Sequence, residues 1–332
     1  MEDRFGHRIS YLRISITDRC NERCRYCMPE ELQQWLPRGD ILSYEEILRI
    51  VRVGATMGIR KLRVTGGEPL TRRAIVPFLR QLRSVPGIED LGLSTNGTLL
   101  AAPEGELTRA QSLKNAGVSS VNISLDTLDR AAYAAVANRD FLPKVLDGID
   151  AALAAGIEKV KINAVLMRGS NEDQLPSLIE FAGQKGLILR FIELMPVSST
   201  EVLSEENFLS IGVARKSIEA TYGPLIPRTD IKGNGPALYY QIPGRDQVIG
   251  FIGAMTNLHF CDSCNKLRLT ADGKLRPCLG SHLEFDLLSV LRAGATDEEL
   301  GKFILNVVDR KPKEHDFRLN YQPNRRMIAI GG

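Results

Sequence analysis

The six cysteines of this chain form two groups of three, with none left over. Cys20, Cys24 and Cys27 stand near the N-terminus with the spacing Cys-x3-Cys-x2-Cys, and Cys261, Cys264 and Cys278 stand near the C-terminus. Three thiolates do not close a tetrahedral four-thiolate site. Each group therefore points to a metal centre with one coordination position open, and an open position is where chemistry takes place. The N-terminal MEDRFGHRIS lacks the apolar core of a signal peptide. That implies a cytoplasmic chain, in which spaced cysteines serve metals or catalysis rather than disulfides.

The elements that must position these groups alternate along the chain. Short β-rich runs occur at residues 11–17 (YLRISIT), 61–65 (KLRVT), 91–94, 120–124 (SVNIS), 160–165 (VKINAV) and 187–193 (LILRFIE), with helical stretches between them. Ser43 and Glu46 form a capping box ahead of the first helix, and Gly58 follows as its stop. Such βα alternation predicts parallel strands with helices outside. Six units are too few to close an eight-stranded barrel. The expected fold class is α/β, a partial (βα)6 TIM-like barrel whose open side something else must cover. After about Pro196 the pattern changes. A helix near residues 211–220 and a Gly/Pro-rich stretch, 223–253, with strand candidates at 238–242 and 248–252, read as a smaller α+β region. The expected division is thus 1–222 and 223–332, the second part holding the later cysteines and a Gly331-Gly332 end.

The first triplet follows the first strand directly, at the end where barrel enzymes keep their active sites. Three thiolates on one short loop can hold three irons of a [4Fe–4S] cluster and leave the fourth iron to a non-protein ligand. Zinc would want a fourth protein ligand nearby, and no histidine or aspartate lies between Cys20 and Cys27. A second signature agrees: Gly66-Gly67-Glu68-Pro69 follows the second strand, where glycines let backbone come close to a ligand. For the later triplet zinc stays open, because His259 or His282 can supply a fourth ligand.

Taken together, the Cys-x3-Cys-x2-Cys loop, with Tyr26 before its last cysteine, and the GGEP loop resemble the radical S-adenosylmethionine enzymes. The segments LRISITDRCNERCRYCMP, RVTGGEPL, STNGTLL, VNISLDTLD, RFIELM, FCDSCNKLRLTADGKLRPCL and the terminal Gly331-Gly332 narrow this further. In order, from about residue 11 to the end, they resemble the GTP 3′,8-cyclases, which carry out the first step of molybdenum cofactor biosynthesis. That resemblance implies a lyase with two [4Fe–4S] clusters and S-adenosylmethionine. A 5′-deoxyadenosyl radical removes the ribose 3′ hydrogen of GTP, and C3′ attacks C8 of guanine.

It also implies residue roles. Cys20, Cys24 and Cys27 hold the cluster that binds S-adenosylmethionine. Cys261, Cys264 and Cys278 hold a second cluster, whose open iron takes the guanine base. Tyr26, Gly67, Ser124 and Met195 contact S-adenosylmethionine, with Arg190 a further candidate for the same cavity. Arg13, Arg63, Ser94, Lys161, Lys266, Leu267 and Arg268 contact GTP. Arg268, Gly331 and Gly332 take part in catalysis together with the first three cysteines. The family often has arginine where Lys266 stands and threonine where Ser94 stands. The arginines and lysines fit on physical grounds as well. Arg13, Arg63 and Lys161 alternate with apolar neighbours on predicted strands, and a cation turned into a barrel is costly without an anion to partner it.

A net charge of +3 with 25% charged residues argues against a broad nucleic-acid surface. No run of 18 apolar residues occurs, which argues against a membrane span. The resemblance implies a small electron-transfer protein as reductant, the cyclic pyranopterin monophosphate synthase downstream, and a homodimer. The alternative reading is another two-cluster radical enzyme, such as a peptide-modifying maturase.

Overall fold

A computed structural model describes residues 1–28, 34–198, 203–231, 235–319 and 321–331. Six strands run parallel in chain order: β1 (Tyr11–Ser15), β2 (Lys61–Thr65), β3 (Asp90–Thr95), then β6 (Ser120–Ser124), β7 (Lys159–Leu166) and β8 (Ile188–Glu193). The short pair β4 (Pro103–Glu104) and β5 (Leu107–Thr108) forms a hairpin of its own. Helices α1 (Tyr44–Thr56), α2 (Ile75–Arg83), α3 (Arg109–Asn115), α4 (Arg130–Ala137), α5 (Leu142–Ala154) and α6 (Leu175–Gln184) fill the connections. The capping box expected at Ser43 and Glu46 forms: the Ser43 hydroxyl accepts from the Glu46 N–H, and the Glu46 carboxylate accepts from the Ser43 N–H at 2.7 Å.

Period-two alternation explains why these strands enclose a cavity rather than a packed core. One set of positions is apolar and buried toward the helices: Leu12, Ile14, Leu62, Val64, Leu91, Leu93, Val121, Ile123, Ile162, Ala164, Leu189 and Phe191. The other set turns inward and is polar: Tyr11 and Arg13, Lys61 and Arg63, Ser94, Asn122 and Ser124, Lys159, Lys161 and Asn163, and Arg190 all line one cavity of about 800 Å³. A closed eight-stranded barrel fills its interior with branched apolar side chains; this one lines it with cations.

After α7 (Ile211–Tyr222) the chain does not build a separate sheet. Strands β9 (Ile226–Pro227), β10 (Leu238–Gln241) and β11 (Val248–Ile252) add to the β8 edge, with β11 parallel to β8. Strands β12 (Lys266–Leu269), β13 (Lys274–Arg276) and β14 (Phe285–Asp286) add to the other edge, with β12 parallel to β1. The result is one twelve-stranded sheet with eight parallel strands at its centre, β12 and β11 forming the flanks of the open side. Helices α8 (Leu287–Arg292), α9 (Asp297–Asp309) and α10 (Met327–Ile330) complete the chain. Among the described residues no helix is long and apolar enough to cross a membrane.

Candidate active site

All six cysteines are free, half-buried and lining the same cavity. Topology places the two triplets at opposite ends of it. Cys20, Cys24 and Cys27 lie on the loop after the C-terminal end of β1. Cys264 and Cys278 flank the β12–β13 hairpin, at the N-terminal end of β12, where the Ser10 N–H donates to the Asn265 carbonyl at 3.2 Å. The rise of β1 between them is about 16 Å.

The first triplet sits in a tightly tied loop. The Cys27 and Met28 amides both donate to the Cys24 carbonyl at 2.9 Å, and the Arg23 and Arg25 amides donate to the Ala137 and Val136 carbonyls at the end of α4. Gly67 explains why the GGEP loop needs glycine. A β-carbon there would lie 2.4 Å from the Arg19 carbonyl oxygen. The glycine lets the cysteine loop lie against the β2 end, where the Gly67 and Glu68 amides donate to Thr17 and Arg19 at 2.8 Å. Buried Glu68 then ties this loop to β3. It accepts from the Leu70 N–H at 2.9 Å, the Thr95 hydroxyl at 2.8 Å and the Asn96 N–H at 2.7 Å.

This end of the cavity is acidic. Burial pushes Glu22 and Glu68 up to about 7 and Asp126 up to about 6. Burial together with nearby carboxylates raises the three metal-free thiols, Cys20 to about 12. Glu22 is held by a short hydrogen bond from the Tyr133 hydroxyl. The Tyr26 hydroxyl donates to Asp126 at 2.9 Å, so this side chain is anchored to the β6 end of the same pocket. Gly67, Ser124 and Met195 line the cavity as well.

The middle of the cavity is basic. Register sets Arg13 beside Arg63 on β2 and beside Arg268 on β12; one step earlier, Tyr11 lies between Lys61 and Lys266. Arg63 reaches over Gly92, where a β-carbon would strike its guanidinium, to donate to Leu93 O at 2.9 Å and Ser120 Oγ at 3.1 Å. Its Nε donates to the Tyr11 hydroxyl at 3.2 Å. Burial, then Arg190 and Arg63, lower Lys161 to about 8. Burial and Arg13 lower Arg268 to about 9. Stacked buried cations that hold their protons less tightly than usual mark a place prepared for an anion. Leu267 does not join them: the alternation of β12 turns its side chain into the apolar core, 1% exposed, which leaves only its backbone at the site.

At the second triplet, neither histidine offered as a zinc ligand lines the cavity. His259 is exposed and paired with Asp262 at 2.9 Å, and His282 bonds the Gln322 carbonyl at 2.6 Å. Instead a buried lysine holds the site. The Lys311 ammonium donates to Pro277 O at 2.5 Å, just before Cys278, and to Lys266 O at 3.2 Å, just after Cys264. It makes no carboxylate pair among the described residues. Burial raises the Cys264 thiol, but Lys311 and Lys266 outweigh that and leave it below its ordinary value. Among the described residues no three ligating side chains converge at the spacing of a single ion. Thiolates that each serve a different iron need not converge, and soft sulfur donors without a fourth protein ligand suit a cluster. Both triplets therefore fit [4Fe–4S] groups with one iron open.

The chain's end reaches this cavity. The Gly331 carbonyl accepts from Arg268 Nη1 at 2.8 Å. Its φ is +85°, and a β-carbon would lie 2.7 Å from Thr65 Cγ2, so only glycine fits there. Gly332 lies outside the described residues. The sequence reading missed Lys61 and Lys159, although each sits two positions before a predicted inward cation and the strand period assigns it the same face. It also missed Lys311, for which local sequence carries no signal.

The chain is similar to known proteins along its whole length. Residues 14–182 match the Radical SAM superfamily, and residues 187–317 match Molybdenum Cofactor Synthesis C. Over the full length of both proteins, the chain is 43% identical to the GTP 3′,8-cyclase of Pelotomaculum thermopropionicum and 45% identical to that of Thermodesulfovibrio yellowstonii. Among solved structures, Streptococcus suis SuiB bound to its precursor peptide SuiA superposes with a TM-score of 0.62 at 16% identity, covering 93% of this chain and 66% of that one. At that identity the likeness speaks to the fold alone.

Proposed function

The chain belongs to the GTP 3′,8-cyclases of the radical S-adenosylmethionine superfamily, and from that premise we propose how its residues divide the work. The enzyme converts GTP to (8S)-3′,8-cyclo-7,8-dihydroguanosine 5′-triphosphate, the first step of molybdenum cofactor biosynthesis, with two [4Fe–4S] clusters and S-adenosylmethionine. One observation carries the division of roles: a single cavity joins both thiol triplets and changes from acidic to basic between them.

Cys20, Cys24 and Cys27 hold three irons of the first cluster. Gly67, Tyr26, Ser124 and Met195 seat S-adenosylmethionine beside it. Its sulfonium is a cation, and the carboxylates of Glu22 and Asp126 favour a cation at that end. When bound, the cluster and S-adenosylmethionine supply the 5′-deoxyadenosyl radical that removes the ribose 3′ hydrogen. Cys261, Cys264 and Cys278 hold the second cluster, with Lys311 fixing the loops that carry the last two cysteines. With three cysteines as ligands, a cluster held there would keep one iron free to take the guanine base. Arg13, Arg63, Lys161, Lys266 and Arg268 bind the triphosphate, Ser94 contributes a hydroxyl, and Lys61, Lys159 and Arg190 add to the field. Held at both ends, the ribose lies between the radical source and the base. Positioning of this kind contributes about 7–11 kcal/mol in favourable cases. Gly331, held by Arg268, brings the tail to the phosphate-binding cations.

We place the functional division at residue 222. Residues 1–222 carry the radical source, and residues 223–332 carry the substrate cluster and tail. A small electron-transfer protein supplies the electron, and the cyclic pyranopterin monophosphate synthase takes the product. Six free cysteines suit the reducing cytoplasm.

The test is anaerobic incubation of the reconstituted protein with GTP, S-adenosylmethionine and a strong reductant. 5′-Deoxyadenosine should form in a GTP-dependent way, together with the cyclised nucleotide. Equal 5′-deoxyadenosine with and without GTP, and no nucleotide product, would sink the substrate assignment.

A further inference from the structure

The last described residues are held by an ion network that neither triplet requires. Arg325 Nη1 donates to both oxygens of Asp272 at 3.0 and 2.9 Å, and Nη2 donates to Glu284 Oε1 at 2.9 Å. Arg325 Nε lies 2.7 Å from Glu284 Oε2. Fully buried Arg276 donates to the same Glu284 at 2.9 Å and reaches the Asn324 side chain at 3.4 Å. These groups are mostly shielded: the Arg325, Asp272 and Glu284 side chains are 19%, 13% and 24% exposed. Forked, part-buried pairs of this kind fix geometry far better than exposed single contacts.

The location of the network matters more than its strength. Asp272 sits in the turn between β12 and β13, where the Thr270 hydroxyl donates to it at 2.6 Å. The same hairpin carries Arg268, whose guanidinium holds the Gly331 carbonyl at 2.8 Å. One hairpin thus grips the tail twice, at Arg325 and at Gly331. Short helix α10 spans the interval, and the Gly331 N–H donates back to Met327 O at 2.9 Å. Arg325, Asp272 and Glu284 do not line the cavity. They can affect it only through what they hold.

We propose that Arg325 is a positioning residue for the reaction: clamped between Asp272 and Glu284, it sets the register of the C-terminal tail so that Gly331 docks on Arg268 over the ends of β1 and β2. This rests on the reading of the tail as part of the active site. Loss of the clamp leaves the triphosphate cations in place but lets the tail drift from Arg268. Misplacement of a positioning group by about 1 Å can cost about 100-fold in rate.

The test uses the reconstituted holoenzyme in four forms: wild type, Arg325→Lys, the charge-neutral double variant Arg325→Gln with Asp272→Asn, and a deletion of residues 331–332. Two readouts are taken, hydrogen exchange of the peptide covering 326–331 and the separate kcat and KM for GTP. The double variant should exchange faster in that peptide and lose about 10- to 100-fold in kcat, with KM for GTP within about threefold of wild type. Arg325→Lys, which keeps the charge but not the fork, should fall between. Wild-type exchange in the double variant overturns the proposal, as does a loosened tail with wild-type kcat. Should the double variant fail to fold, Arg325→Lys carries the same readouts, and wild-type values there overturn it equally. The deletion separates the two layers. A fully active deletion removes the tail from the active site; an inactive deletion beside fully active Arg325 variants removes only the clamp.

Discussion

Before any substrate arrives, Arg63 is already fixed by Tyr11, Leu93 and Ser120, so its fork is aimed rather than free to search. A lysine there would keep the charge and lose the planar fork. Arg63→Lys should raise KM for GTP about tenfold, near 1.4 kcal/mol, through loss of about one charge-assisted hydrogen bond. Steady-state kinetics under anaerobic conditions check this, and a KM unchanged within error would place Arg63 in a structural role. Two neighbours give the same site a pH dependence. Lys161 is lowered to about 8 by burial and by Arg190 and Arg63. Burial raises the Tyr11 phenol, but Arg63, Arg13 and Lys266 outweigh it and bring it down to about 8. As pH rises through 8, Lys161 loses a positive charge and Tyr11 gains a negative one. Both changes work against a bound triphosphate. KM for GTP should therefore climb between about pH 7 and 9, and Lys161→Met should remove part of the climb. A profile that stays flat in the wild type would exclude both groups from the phosphate site.

At the scale of elements, the β12–β13 hairpin brings together more of the site than any other. It carries Lys266 and Arg268, ends at Cys278 and is stapled underneath by Lys311. Lys311 is 2% exposed, and its ammonium has backbone carbonyls and thiols for company. A buried charge without a carboxylate is costly unless another anion meets it, and a thiolate-ligated cluster is such an anion. Lys311→Met should keep the first cluster and lose the second, leaving about four irons per chain in place of about eight. Iron analysis and electron paramagnetic resonance check this; retention of both clusters with wild-type spectra would reduce Lys311 to packing. The central βα units were legible in the sequence because each strand carries its own pattern, apolar and polar residues alternating along it, and a capping box marks the start of the first helix. The placement of β12 against β1 was not. It depends on a pairing between Arg13 and Arg268, residues far apart in the chain, which no local period encodes. Strand alternation on β12 buries the Leu267 side chain, so any contact it makes with substrate is through its backbone. Lys311, one of three cations in the polar run DRKPKEHD, gains meaning only from what folds over it.

At the scale of the whole molecule, the open sheet separates two reactive ends that a closed barrel could not join. β11 and β12 extend both edges of the six-stranded core without pairing to each other, so the interior stays accessible from the first triplet to the second. The triplets belong to different loops tied to different partners. The first is held by the α4 end and the GGEP loop, the second by Lys311 and the hairpin. Damage to one should therefore leave the other assembled. Cys264→Ser should abolish the spectral response to GTP while leaving a reducible cluster that still responds to S-adenosylmethionine. Cys24→Ser should do the reverse, with the GTP response retained. Electron paramagnetic resonance of the two reduced variants, each titrated with both ligands, reads all four combinations. Loss of both clusters from either single variant would show that the ends assemble as one unit, and the physical separation built by β1 would then not be a functional one.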